Sequence, residues 1–443
     1  MHCADSLGLE LGVHICDGFA LAGGPWFTPE ESMQKIVYTD TIVRIPEPQK
    51  MNRRMRRGMA KASVFEPIVM LQPAKGSKDI AAYAIPVDYN RSEVAPLRLT
   101  KSESILPDEK NLVRANEPCW FTFEFEEGVR IRNVEITPAG TNIQCQRLKV
   151  EASADGENFT YLTTFAPARQ GWQNTDAKNT FALPEHDSMK ARFYRFSWTP
   201  EGTEPGSEDL DAAKWKAVLR LRAIKFRQDP RIHQWEGKAA YVWRVAEETS
   251  EQQLPQSLCT PLGSVMPVTF DANNMMTTTL PAGQYRIIRM GHATTGHTNA
   301  TAGGGKGLEC DKFSQAAVNK LVDHWFAKFA ALPSARAQKY MHIDSWECGC
   351  QNWSENFARE FRQRRGYDLM PWLPVMAGIP LESAAETERV LRDVRLTIND
   401  LINDIFFTTL RQRAEGMGMK FSSESIAPTM CADGLDHYRY ADY

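Results

Sequence analysis

The sequence has no long hydrophobic run and almost no excess of charge of either sign. No stretch approaches the roughly 18 consecutive apolar residues that cross a bilayer, so we expect no membrane span. Lysine and arginine total 52 and aspartate and glutamate total 55, which leaves a formal net charge of −3. A chain with this balance has no overall positive field to hold nucleic acid or an anionic membrane. Neither class of partner is expected.

Cysteine is also scarce, and its number is odd. The nine cysteines in 443 residues leave at least one thiol free and exclude a disulfide scaffold. Cys348 and Cys350 form one close pair, but no second close pair follows, as a zinc ribbon would require. The first residues, MHCADSLGLELGVHIC, lack the basic start and the apolar block of a signal peptide. With 42% hydrophobic and 24% charged residues, the chain has an ordinary globular composition.

The pattern along the chain predicts an α/β fold with an inserted β domain. Residues 1–95 begin with the strand-like LGLELGVHIC and continue into a Gly/Pro loop and a helical pattern from Pro29. Residues 96–230 alternate side chains in CWFTFEFEEG and ARFYRFSW, which predicts an antiparallel β-sandwich. Its SADGENFTYL stretch resembles the discoidin or jelly-roll-like, carbohydrate-binding sandwiches that often accompany carbohydrate enzymes. Residues 231–443 alternate strands and helices, which is typical of a parallel α/β unit. We expect 1–95 and 231–443 to form one domain that the sandwich interrupts.

Four strand-like runs end abruptly in polar or acidic side chains: LGVHICDG, IIRMGH, HIDSWE and KFSSES. In (β/α)₈ barrels the catalytic groups lie at the carboxyl ends of the strands, where the loops converge. We therefore predict a TIM-like (β/α)₈ catalytic barrel with an acidic site at its mouth. The side chains expected there are those of His14, Asp17, His292, Asp344, Glu347 and Glu424.

Glu347 and Glu424 are the predicted catalytic pair. Hydrolysis of a glycosidic bond needs one carboxyl group to protonate the departing oxygen and another to activate water or attack the anomeric carbon. Trp346 and Trp26 offer flat apolar faces for a sugar ring, and an indole beside Glu347 would raise the pKa of that carboxyl group by desolvation. We assign Glu347 as the acid and Glu424 as the base. The alternative for both tryptophans is a structural place at the rim of the core.

Four longer segments carry a family resemblance: CDGFALAGGPWFTPEESMQKIV, GKGLECDKFS, HIDSWECGCQNWSENFAREFRQRRGYD and MKFSSESIAP. Together they resemble glycoside hydrolase family 106, the α-L-rhamnosidases. The resemblance implies a (β/α)₈ barrel with β-sandwich modules, inversion of configuration, and a calcium ion near the sugar hydroxyls whose ligands it does not assign. Phe19 stands where the family usually has tryptophan. SSESIAP differs from the usual Ser-Glu-Pro, so the base is either Glu424 or a residue beyond 443.

The resemblance implies a rhamnose-containing oligosaccharide or polysaccharide as substrate and a periplasmic or secreted bacterial protein. Because the chain ends at YADY within a strand–helix series, an incomplete barrel is expected. A glycosidase of other specificity and a non-catalytic carbohydrate-binding chain are the alternatives. The residues expected to bind substrate are His14, Asp17, Trp26, His292, Asp311, Asp344 and Trp346.

For some of these residues the alternative to a functional role is a purely structural one. His14 and His342 could be core histidines, and Asp311 could cap the helix that follows it. His292 and His297 lack a matching third ligand for zinc.

Overall fold

A computed structural model describes residues 1–14, 22–47, 69–139, 143–170, 177–185, 190–203, 216–299, 303–333, 335–424 and 432–443. Within these ranges the fold is mixed α/β, and most of its regular structure is strand. None of the helices in the described ranges is long and apolar enough to cross a bilayer.

The strands are β1 (Leu11–His14), β2 (Gly23–Gly24), β3 (Gln34–Ile45), β4 (Lys78–Pro86), β5 (Glu93–Val94), β6 (Arg98–Lys101), β7 (Val113–Ala115), β8 (Cys119–Val129), β9 (Asn133–Pro138), β10 (Lys149–Ser153), β11 (Thr160–Thr164), β12 (Arg169–Gln170), β13 (Asn179–Ala182), β14 (Ala191–Trp198), β15 (Leu219–Arg227), β16 (Arg244–Val245), β17 (Met266–Val268), β18 (Gly283–Thr294), β19 (Leu308–Glu309), β20 (Gln338–Ile343) and β21 (Lys420–Ser423). The helices are α1 (His2–Ser6), α2 (Trp235–Lys238), α3 (Gln315–Ala330), α4 (Phe357–Arg365), α5 (Ala384–Leu401) and α6 (Thr408–Gly416).

Three parallel strands, β1, β20 and β21, form one sheet with β20 in the middle. Met341 and Ile343 of β20 are fully buried, so His342 between them points to the opposite face. Phe421 of β21 is buried in the same way. The prediction that LGVHIC lies beside parallel strands is confirmed for its described part, Leu11–His14.

The parallel sheet has three strands in the described part of the chain, so the predicted (β/α)₈ barrel stays a prediction. The IIRMGH run does not join this sheet. It belongs to β18, which lies between β3 and β4 in an antiparallel sheet completed by β17. His292 therefore does not lie at the carboxyl end of a parallel strand. The strand itself was predictable, but the direction of its partners depends on distant segments.

The prediction of a helix from Pro29 is wrong. Only a short 3₁₀ turn, Pro29–Glu31, forms there, and strand β3 follows it. The reason is the sequence QKIVYTDTIVRI, which is rich in β-branched residues that favour a pleated backbone.

Two antiparallel sheets lie between residues 93 and 227. One has the order β11-β10-β14-β8-β6; the other has the order β13-β9-β15-β5, with β7 also paired to β15. Aromatic side chains from both sheets share one core. Phe123 of β8 contacts Phe226 of β15 with 4.8 Å between ring centroids, and Phe121 stacks on Phe196 at 5.4 Å. The discoidin or jelly-roll type and the domain boundaries stay predictions.

Four longer helices share one hydrophobic core with the parallel sheet. Helices predicted by the alternating pattern of residues 231–443 are confirmed by α3, α4 and α5. Ser383 caps the N-terminus of helix α5, because its side chain accepts a hydrogen bond from the Glu386 amide at 3.1 Å. It continues through a π-helical turn, Ile402–Phe407, directly into α6. Phe406 of that turn shares a core with Ile343 and Phe421 of the parallel sheet.

A buried cluster of ion pairs links the end of β15 to strands β18 and β3. Asp229, just after β15, is fully buried and binds Arg231 at 2.6 Å and Arg286 of β18 at 2.8 Å. Arg286 also reaches Asp40 of β3 at 3.1 Å, and Arg231 donates to the carbonyl of Ala377. Burial raises the pKa of Asp229, but the two guanidinium groups outweigh that effect and hold the pKa well below its usual value.

Candidate active site

The parallel sheet brings several predicted residues to one edge. His14 of β1 lies in register with His342 of β20, and His342 lies in register with Ser422 of β21. Asp344 follows the last residue of β20, and Glu424 follows the last residue of β21. Because the three strands run in the same direction, these carboxyl ends meet.

Asp344 and Glu424 form a hydrogen-bonded carboxyl pair. The backbone N–H of Ser345 donates to Asp344 Oδ1 at 2.9 Å and to Glu424 Oε2 at 3.0 Å. The Glu424 amide donates to the carbonyl of Ile343 at 3.0 Å, which fixes the start of the loop after β21 against β20. Hydrogen bonds therefore join the ends of β20 and β21 at the two carboxyl groups.

The two carboxyl groups share one proton unequally. The hydrogen bond with Glu424 holds the pKa of Asp344 below its usual value, and the Ser345 amide and the two nearby imidazoles act in the same direction. The same hydrogen bond raises the pKa of Glu424, helped by burial and by the charge of Asp344. Between these two titrations the proton resides on Glu424 and Asp344 is ionised. The two carboxyl groups of the pair therefore lose their protons over different pH ranges.

Two half-buried imidazoles lie beside Asp344. His14 Nε2 is 3.5 Å from Asp344 Oδ2, and the rings of His14 and His342 are 5.1 Å apart between centroids. His342 Nδ1 lies 3.0 Å from Ser422 Oγ. Burial lowers the pKa of His342, and His14 adds to this effect. A neutral imidazole both donates and accepts hydrogen bonds, as recognition of a sugar hydroxyl requires.

Glu347 lies on the loop after β20 and is half-buried. The hydroxyl of Ser345 donates to Glu347 Oε1 at 3.2 Å. Since Glu424 binds the amide of the same serine, the bonded oxygens of Glu347 and Glu424 are no more than about 10 Å apart. The structure therefore brings together His14, Asp344, Glu347 and Glu424 from the sequence prediction.

Trp346 does not present a face to a ligand. Its side chain is 1% exposed, and its indole N–H donates to the Gly349 carbonyl at 2.7 Å. One face of the ring lies 4.9 Å from Lys312 Nζ, and Phe406 packs against it edge-on at 5.9 Å. The tryptophan packs inward because the loop after β20 turns it onto the helical core. The core alternative describes this residue, and the predicted sugar stacking does not.

Trp26 lies against helix α3. Its ring stacks on His324 with 4.6 Å between centroids and meets Trp325 edge-on at 5.7 Å. It remains partly exposed, so its role as a sugar platform stays a prediction.

Asp311 and His292 make structural contacts. Asp311 is buried and accepts hydrogen bonds from Ser354 Oγ and Gln351 Nε2, both at 2.5 Å, and from the Phe313 amide at 2.9 Å. Burial raises the pKa of Asp311. His292 Nδ1 lies 3.0 Å from the side-chain oxygen of Gln34 on the adjacent strand β3. Asp17 lies outside the described residues.

The sequence analysis missed Ser345 and Ser422, and it left His342 without an assigned role. A serine beside an acidic residue is too common to single out. His342 could have been found only by pairing HIDSWE with LGVHIC, because that register places it beside His14.

One group of side chains in the described residues is close enough to share a metal ion. The ligand atoms of His14, His342 and Asp344 lie within 4.8 Å of one another. Calcium prefers six to eight oxygen ligands, whereas imidazole suits transition metals. This group does not fit the calcium ion that the resemblance implies.

Known proteins resemble this chain in sequence and in fold. A putative β-glucuronidase from Formosa agariphila is 39% identical over 150 residues, which cover 33% of this chain and 13% of that protein. The structure of a rhamnosidase from Novosphingobium sp. PP1Y matches with a TM-score of 0.69 and 22% identity, over 100% of this chain and 41% of that one. The second match shows a shared fold. The chain spans less than half the length of either protein.

A family model matches residues 1–443, and it places the chain among the glycoside hydrolases. Within that class, the chain belongs to family 106, the α-L-rhamnosidase family.

Proposed function

We propose that this chain carries the acid–base site of an enzyme that removes α-L-rhamnose from oligosaccharides or polysaccharides. The observation that supports the proposal most directly is the cluster of three carboxyl groups around Ser345 at the ends of adjacent parallel strands. Glycosidic hydrolysis needs a proton donor and an ionised carboxylate within one sugar ring of each other. Family membership supports the choice of rhamnose.

In the proposed mechanism Glu347 protonates the departing glycosidic oxygen and Glu424 activates a water molecule. His14, His342 and Asp344 bind the sugar hydroxyls. Glu424 must lose its proton before it can act as base, so the reaction needs a pH above the raised pKa of that carboxyl group. An inverting reaction also needs about 6.5–9.5 Å between the two carboxyl groups, which is compatible with their common attachment to Ser345.

Calcium binding stays a prediction, and no step of this mechanism passes through the ion. Treating the intact protein with EGTA should lower the rate, and calcium should restore it. If the EGTA-treated protein keeps its full rate, calcium plays no part.

The stereochemical test is proton NMR of the first-formed sugar. An inverting enzyme releases β-L-rhamnose from an α-L-rhamnoside, whereas a retaining enzyme releases the α-anomer. Release of the α-anomer would contradict the assignment of Glu424 as base.

A second candidate substrate is a β-glucuronide, which the name of the Formosa relative supports. Matched p-nitrophenyl α-L-rhamnoside and p-nitrophenyl β-D-glucuronide distinguish the two, because they share a leaving group. Activity on the glucuronide alone would refute the rhamnosidase proposal while leaving the two-carboxylate chemistry intact. Glu415→Gln serves as the control variant in the assays of both substrates, since Glu415 is an exposed acid on α6 paired with Arg411.

A further inference from the structure

A buried lysine lies against the loop that carries the proposed acid. Lys312 is located between β19 and α3, and its side chain is fully buried. Its ammonium group pairs with the Glu309 carboxylate at 2.7 Å and donates to the Cys310 carbonyl at 3.3 Å. The proposed mechanism gives this cation no role, although a charge in the interior of a protein is costly to maintain.

Lys312 keeps its charge in this buried position. Burial lowers the pKa of Lys312, but Cys348 and Glu309 outweigh that effect and raise the pKa above its usual value. The Glu309 carboxylate is held in turn, because its two oxygens accept hydrogen bonds from the Ala22 amide at 3.1 and 2.9 Å. Backbone groups therefore hold both members of the ion pair in place.

The ammonium group of Lys312 faces the indole ring of Trp346. The distance from Lys312 Nζ to the ring centroid is 4.9 Å, which is a cation–π contact. Such a contact is strongest where water is excluded, and Trp346 is buried. The indole N–H donates to the Gly349 carbonyl at 2.7 Å, and Phe406 of the π-helical turn packs against the same ring. The position of Trp346 is thus fixed on several sides.

The segment around Lys312 holds the same loop at a second point. The backbone amide of Lys312 donates to Gln351 Oε1 at 3.2 Å. Gln351 Nε2 donates in turn to Asp311 Oδ1 at 2.5 Å. Along the chain, Glu347 lies between the two contact points, Trp346 and Gln351.

We propose that Lys312 is a positioning residue, which holds the Glu347 carboxyl group in place for proton transfer through its contact with Trp346. The inference rests on the proposed role of Glu347 as acid. Ser345 fixes Glu347 from the other side, because its hydroxyl donates to Glu347 Oε1 at 3.2 Å. Since Lys312 is fully buried, it does not contact a sugar, and its loss should change kcat rather than KM.

The kinetic test is Lys312→Met, which removes the charge and keeps an unbranched apolar chain. With methyl α-L-rhamnoside, whose leaving group needs a proton, kcat should fall at least about tenfold while KM changes less than about twofold. With p-nitrophenyl α-L-rhamnoside, which needs little protonation, kcat should fall less than about threefold. A smaller folded fraction would lower both rates equally, so equal losses overturn the inference.

Two further variants separate positioning from stability. Lys320→Met is the matched control, because Lys320 also pairs with a carboxylate, that of Glu31 at 2.8 Å, and lies 5.6 Å from the ring centroid of Phe27. It should leave both rates unchanged, and a selective loss there would overturn the inference. Glu309→Gln combined with Lys312→Met removes both charges of the buried pair, so this double variant should be more stable than Lys312→Met. It should keep the selective loss, and recovery of the rate on the methyl rhamnoside would contradict the inference.

A measurement without substrate separates this inference from the proposed function. Hydrogen exchange of the amides of residues 345–350 should become at least about tenfold faster in Lys312→Met and stay unchanged in Lys320→Met. Unchanged exchange in Lys312→Met overturns the inference whether or not the protein hydrolyses rhamnosides. Equal losses on the two substrates in Glu347→Gln would instead contradict the acid role, and with it the inference.

Discussion

At the scale of single residues, Ser345 organises the candidate site because it contacts three carboxyl groups. Its amide donates to Asp344 and Glu424, and its hydroxyl donates to Glu347. The amide contacts depend only on the backbone, so any residue that keeps this loop conformation preserves them. The contact to Glu347 needs the serine hydroxyl.

Replacing Glu347 tests its role as acid. Glu347→Gln keeps the shape and removes the proton, so turnover of a substrate with a poor leaving group should fall by about 10²–10⁴-fold. A p-nitrophenyl rhamnoside needs little protonation and should lose much less. Steady-state rates on both substrates measure the difference. Equal losses would remove Glu347 from the acid role.

The proton of the carboxyl pair should appear in the pH–rate profile. If Glu424 is the base, activity rises as pH increases through its raised pKa, because the ionised form is the active one. Asp344→Asn removes the neighbouring charge, so the pKa of Glu424 should fall and the acidic limb of kcat/KM should move to lower pH. Glu424 is instead the acid if activity decreases as the pH rises through its pKa, and if this alkaline limb of the profile moves to lower pH in Asp344→Asn.

At the scale of elements, the central strand β20 carries the site on one side and the core on the other. Ile343 is fully buried and immediately precedes Asp344. Ile343→Ala should lower the free energy of unfolding by about 2–5 kcal/mol, whereas Ile343→Val should cost only about 0.5–1.5 kcal/mol. Urea denaturation measures both. Equal small losses would mean that the core closes around the smaller side chain.

The sequence was informative where burial alternates within one element. The strands of LGVHIC, HIDSWE and KFSS were predictable because their buried residues alternate or run together before a polar end, and the Asp344–Glu424 contact follows from their parallel pairing. The direction of β18 was not predictable, because it depends on pairing with β3 and β4. The inward packing of Trp346 was not predictable either, since Lys312 and Phe406, which surround it, come from other parts of the chain.

At the scale of the whole molecule, the Asp229 cluster joins the antiparallel sheets to the part that carries the site. Asp229→Asn would leave Arg231 and Arg286 buried without their shared carboxylate, so the free energy of unfolding should fall by about 3–5 kcal/mol. Asp323→Asn is the control: Asp323 is 59% exposed in its pair with Arg413, and its loss should cost no more than about 1 kcal/mol. Thermal unfolding of both variants measures the contrast. A similar small loss in both would show that the cluster contributes little.

The same cluster makes stability depend on pH. The pKa of Asp229 is lower in the folded state than in the unfolded chain. The stabilisation by the Asp229 ion pairs is therefore fully present above pH 3.8, which is the pKa of Asp229 in the unfolded chain. It is lost as the pH falls through the lower pKa of the folded state. Asp229→Asn should reduce the acid sensitivity of unfolding below pH 3.8.

The position of Asp229 also has a consequence for how the molecule moves. Its ion pairs connect the end of β15 to β18, and through Arg231 to the 3₁₀ helix Met370–Ala377, so these parts cannot separate without exposing buried charge. The antiparallel sheets and the parallel sheet should therefore melt in one calorimetric transition, with equal van't Hoff and calorimetric enthalpies. In native-state hydrogen exchange, the amides of β15 and β20 should then open together as one cooperative unit.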